Sequence, residues 1–111
     1  MISSIFPNLF FPDAGLLVRF YVVELSLFEV SIDYGMGSCL IVAKNNPHVG
    51  LVISEGDPAA VSSRPLFTMG VTEIEALFHR LANFNFSTGA ELLTKRSLFE
   101  WPLGHSMTLK D

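Results

Sequence analysis

The sequence holds a single cysteine, Cys39, in 111 residues, which excludes an internal disulfide and suits a reducing cytoplasm. Charge is scarce as well. Only 16% of residues are charged, with 7 Lys plus Arg against 11 Asp plus Glu and a formal net charge of -4. An acidic chain of pI about 5.2 carries no broad positive field for phosphate backbones or anionic lipid, so neither a nucleic-acid nor a membrane partner is expected. Long apolar runs are missing too: the richest stretch, Leu16 to Val30, is broken by Arg19, Glu24 and Glu29, whereas a bilayer span needs about 20 mostly apolar residues. No basic residue precedes the first apolar stretch, and Pro7, Asn8, Pro12 and Asp13 interrupt it, so no export signal is visible and a cytoplasmic protein is expected.

What remains is strongly apolar. Half of the residues are hydrophobic, ten of them Phe, and the mean hydropathy is +0.44. Such a chain has ample material for a core, and its length suits one domain spanning residues 1–111. Ile5 to Phe11 reads as a short strand, delayed by Pro7. Asp13 suits a helix N-cap, and Leu16, Phe20, Val23 and Leu27 follow at helical spacing with Arg19 and Glu24 outside the stripe. Phe28 to Tyr34 alternates at period two, placing Phe28, Val30, Ile32 and Tyr34 on one side. Gly35-Met36-Gly37 predicts a hairpin into Ser38 to Val42, and Asn45-Asn46-Pro47 a turn into Val49 to Ile53.

A polar loop with Pro58 and paired serines divides the chain, so a first module over 1–54, a linker over 55–64 and a second module over 65–111 are expected. Pro65 to Val71 reads as a strand, and Thr72-Glu73-Ile74-Glu75 has the form of a capping box opening a helix with Ile74, Leu77, Phe78 and Leu81 as its apolar stripe. Leu92-Leu93 and Ser106 to Lys110 are expected as short strands around a loop holding Phe99, Trp101, Pro102 and Gly104. The order strand, helix, three strands thus recurs, with its final strand missing in the second half.

These residues resemble the glyoxalase/bleomycin-resistance/dioxygenase superfamily, also called vicinal oxygen chelate proteins. Asp13, Phe20-Tyr21 and Leu27-Phe28-Glu29-Val30 are similar to its opening. Phe67-Thr68-Met69-Gly70-Val71-Thr72-Glu73-Ile74-Glu75-Ala76-Leu77 resembles its second strand-to-helix entry, and Gly89-Ala90-Glu91-Leu92, Trp101-Pro102-Leu103-Gly104-His105 and Thr108-Leu109-Lys110-Asp111 resemble its closing segments. The resemblance implies an α+β fold of paired βαβββ modules, a curved mixed sheet around a cavity, with the second module lacking its last strand. Metal-dependent members place a His in the first strand, a Glu near the end of the fourth, a His in the fifth and a Glu in the last. By position Phe6 and Leu66 stand at the two His sites and bind no metal. The nearest acid to the first Glu site, Glu55, is expected beyond its strand, and the sequence ends at Asp111 before the last.

Other chemistry finds little support. His48, His79 and His105 are far apart in sequence and form no ligand spacing on one face. His48 follows a turn proline and His79 sits by Arg80 near a helix end, whereas the resemblance places His105 near a cavity mouth. Cys39 lies in an apolar strand, where a thiol is a small hydrophobe. Ser38, Ser62 and Ser63 have no nucleophile elbow, and Gly35-Met36-Gly37 lacks the remainder of a dinucleotide fingerprint. Phe99 and Trp101, off any periodic face, either stack on a planar ligand or pack within their loop.

The expectation is therefore a metal-free, cofactor-free binding protein of the glyoxalase/bleomycin-resistance type, with no catalytic residue. A small apolar or aromatic molecule would be held by Phe6, Leu66, Phe99, Trp101 and His105, with Arg96 as a further polar group at the rim. A degenerate or metal-dependent lyase or dioxygenase of the same superfamily and a purely structural homodimer are the alternatives. A homodimer is expected in any case, because the missing strand leaves an open edge near Ser106 to Lys110.

Overall fold

The computed structural model describes residues 1–56, 67–94, 97–101 and 104–110. The protein is α+β and divides into two compact units, Met1–Val61 and Ser62–Asp111. The first unit is a βαβββ module. Strand β1 (Asn8–Phe11) leads into helix α1 (Ala14–Arg19), which continues as a π-helical turn over Phe20–Glu24. Strands β2 (Phe28–Gly35), β3 (Ser38–Ala43) and β4 (Asn46–Glu55) follow. They form an open mixed sheet in the order β1-β4-β3-β2, with β1 parallel to β4 and the other pairs antiparallel.

Asp13 caps α1 as expected, its Oδ1 accepting from the Leu16 amide at 3.2 Å. The buried stripe, however, is Ala14, Leu17, Phe20, Tyr21, Glu24 and Leu25, while Leu16 and Val23 are exposed. The stripe already starts one residue away from the expected phase, on Leu17 rather than Leu16, in α1 itself; further along, the Leu25 amide donates to the Phe20 carbonyl at 2.7 Å, five residues back, a π turn that inserts a residue into the 3.6-residue period. Glu24, assigned to the outer face from the sequence, is 3% exposed. No buried side-chain nitrogen or oxygen among the described residues lacks a hydrogen-bond partner. Tyr21 meets Phe28 edge-to-face at 5.5 Å, which fixes the helix on the Phe28 side of the sheet.

Met36 and Gly37 both have positive φ, 54° and 76°, the geometry of a two-residue hairpin turn whose twist suits the β2 and β3 strands. The period-two pattern of β2 does not survive intact. Val30 pairs with Ile41 but Ile32 with Leu40, so a bulge at Ser31 moves Ile32 to the face opposite Phe28 and Val30. Strand β4 is longer at both ends than expected. It begins at Asn46 with Pro47 inside it, beside the register shift that follows Val42, a place where a missing amide donor is tolerated. It also reaches Glu55, which pairs with Phe11 and so belongs to the strand rather than lying beyond it.

The second unit holds helix α2 (Ile74–Ala82) and strands β5 (Glu91–Leu92), β6 (Phe99–Trp101), β7 (Gly104–Ser106) and β8 (Leu109–Lys110). Phe78 and Leu81 are buried on α2. The capping box is not formed: Glu73 takes the N-cap position without a side-chain hydrogen bond. Residues 67–71, the described part of the expected fifth strand, are not a strand. Strand-like composition yields a strand only with a partner, and among the described residues no strand pairs with them. Strand β5 pairs with β8, and β6 with β7, both antiparallel. The expected loop at Phe99 and Trp101 is thus strand β6, and the expected strand Ser106 to Lys110 is split into the end of β7 and β8. Met107 and Thr108 separate the two pieces. There the Leu93 amide donates to the Thr108 carbonyl at 2.8 Å and the Thr108 amide to Thr94 Oγ1 at 3.0 Å.

Candidate functional site

Register sorts the first unit's sheet into two faces, since directly paired residues share a side and neighbours alternate. The helix face carries Leu9, Phe28, Ile41, Leu51 and Ile53, all buried. The opposite face consists of rows that cross the strands. One row runs Phe10, Ser54, Ser38, with Tyr34 bulged beside the Gly35–Ser38 pair; the next runs Asn8, Val52, Leu40, Ile32. The isolated bridge between Ile5 and Val49 keeps the register of β1 with β4, which sets Phe6 on the same side as Asn8 and Phe10.

This open face is apolar yet accessible. Phe10 is 53% exposed, Ile32 46% and Tyr34 56%, while Phe6 and Val52 are half-buried and Leu40 and Val42 are buried. Within it Ser38 Oγ and Ser54 Oγ share a hydrogen bond of 3.0 Å in a part-buried setting. At the Phe6 end the β3 and β4 backbones approach closely, because a Cβ at Gly50 would collide with the Ile41 carbonyl oxygen. Glu55, by register with Ile53, belongs to the helix side and is exposed. Its strand membership therefore brings no carboxylate to the open face beside Phe10.

In the second unit an open cleft of about 640 Å³ is lined by Thr94, Ser97, Leu98, Glu100, Ser106 and Thr108. His105 and Glu100 pair across the β6–β7 hairpin, Nε2 to Oε1 at 3.5 Å, and both are exposed. Phe99 and Trp101 lie in β6, whereas Leu66 and Arg96 fall outside the described residues. His48 and His79 are exposed. Among the described residues no group of three or more His, Cys, Asp or Glu is placed to hold a metal ion. Cys39 is half-buried on β3 across from Asp33, and burial first, then the Asp33 carboxylate, raises its thiol pKa. No helix among the described residues is long and apolar enough to cross a membrane.

Of the residues singled out in the sequence, Phe6 lies on the open face. Phe10, Ser38, Ser54, Ile32 and Tyr34 were not identified as site residues. The parallel β1–β4 register that gathers them is a long-range pairing without a local signature, and a strand ended at Ile53 leaves Ser54 out.

No family model and no curated protein matches the sequence. Solved structures do resemble the fold. TioX from Micromonospora sp. ML1 is 16% identical with a TM-score of 0.65, over 99% of this chain and 90% of that one. The hypothetical protein SA1046 from S. aureus is 19% identical with a TM-score of 0.62, over 100% of this chain and 89% of that one. At such identities the likeness is one of fold.

Proposed function

We propose that the chain is a metal-free binding protein of the glyoxalase/bleomycin-resistance type, which holds a small hydrophobic or aromatic molecule against the open face of the β1–β4 sheet. The observation that carries this reading is the accessible apolar surface made by Phe6, Phe10, Ile32, Tyr34 and Val52 on the side of the sheet away from the helix. Monomeric proteins rarely leave such a surface without a use, and rings on a rigid sheet supply large buried area at small ordering cost. An apolar Phe6 at the position where the resemblance expects an imidazole supports binding without metal. Leu66, Phe99, Trp101 and His105 belong to the second unit's stretch of the sequence and remain proposed ligand-binding residues there.

Native mass spectrometry of freshly purified protein tests the reading. A small organic mass retained without stoichiometric metal is the expected result. Turnover of glutathione hemithioacetals or catechols with added divalent metal would replace binding by the enzyme reading.

A further inference from the structure

The open face is not uniformly apolar, and the exception is built into the ladder. Ser38 and Ser54 are paired residues of β3 and β4, and Phe10 of β1 pairs with Ser54. The two hydroxyls bond each other at 3.0 Å. Each hydroxyl offers one donor and two lone pairs, so the mutual bond leaves one O–H and the remaining lone pairs without a partner among the described residues. Phe10 flanks this pair on one side and Tyr34 on the other, roughly 14 Å apart across three strand spacings. Val52 and Leu40 lie in the adjoining row. Among the described residues, the charged side chain that register places on this face is Glu29, which pairs with Val42, two rows from the serines and about 13 Å along the strand.

Resting on the binding reading above, we propose that the Ser38–Ser54 hydroxyl pair is the polar anchor of the site, and that its ligand is a planar aromatic molecule bearing a neutral hydroxyl or carbonyl oxygen. The ring system lies over half-buried Val52 with an edge against Phe10 or Tyr34, and its oxygen meets the hydroxyl pair. A neutral oxygen is selected because, among the described residues, register places no Lys or Arg on this face, while the chain carries a net charge of -4. Hydrogen bonds discriminate between ligands more sharply than apolar fit. In a half-buried setting one such bond amounts to about a tenfold preference.

The test compares two probes of nearly equal shape, naphthalene and 2-naphthol, titrated by their own fluorescence into the full chain. Wild type should bind 2-naphthol about tenfold more tightly than naphthalene. Ser38→Ala and Ser54→Ala should each remove the preference and leave naphthalene affinity unchanged, Ser54→Thr should retain it, and Phe10→Ala should weaken both probes alike. Far-UV circular dichroism shows whether each variant folds, and the wild-type comparison needs no variant. Equal affinity of the two probes for wild type, or a preference that persists in folded Ser38→Ala/Ser54→Ala, overturns the anchor while the binding reading stands. Failure of both probes to saturate overturns the binding reading and the anchor with it.

Discussion

Cys39 and Asp33 face each other across the β2–β3 ladder, and the pair has a measurable pH signature. Burial is the larger cause of the raised thiol pKa and the Asp33 carboxylate the smaller, both by disfavouring the thiolate. Alkylation by iodoacetamide, which needs the thiolate, should therefore continue to accelerate at pH values where an exposed cysteine has levelled off. Asp33→Asn should lower the pKa only part of the way, because burial is the larger cause, and should speed alkylation at about pH 8. A rate that falls in Asp33→Asn would contradict this placement. The half-buried place of Cys39 was legible from its apolar strand. The setting of Ser54 was not, because it is made by Phe10 and Ser38, which are distant in sequence.

The elements were legible in kind more than in phase. Asp13 announced α1, and the glycines around Met36 announced the hairpin, because both are local devices. The π turn at Phe20 to Glu24 and the bulge at Ser31 each insert one residue into a period, and no periodic count anticipates them. The corrected phase of α1 has a direct consequence. Leu17→Ala should cost about 2–5 kcal/mol, the range for a buried Leu, while Leu16→Ala should cost about 1 kcal/mol or less. Urea unfolding of the two variants distinguishes the observed stripe from the expected one, which ranks them the other way. In the second unit, the expected strand at 65–71 has no paired partner in its described part. Pairing is the non-local information that composition lacks.

On the scale of the whole molecule, the fold class was legible because a βαβββ order needs only element types and turns. The gathering of Phe10, Ser38, Ser54 and Tyr34 on one open face was not. Both edges of the first sheet, β1 and β2, are unpaired among the described residues, and open edges invite association. The β2 edge carries two bulges and the acidic residues Glu29 and Asp33, devices that discourage strand addition there. We propose a homodimer that leaves β2 free, and light scattering at micromolar concentration should give twice the 12.3 kDa chain mass; a mass of 12.3 kDa would contradict it. The central claim is that the sheet face away from α1 takes a small planar molecule. Its most direct measurement is an amide and side-chain NMR titration of the full chain with 2-naphthol. The account predicts saturable shifts at Phe10, Tyr34, Ser38, Val52 and Ser54, with α1 unchanged. Shifts confined to the Thr94–Glu100–Thr108 cleft, or none that saturate, would contradict it.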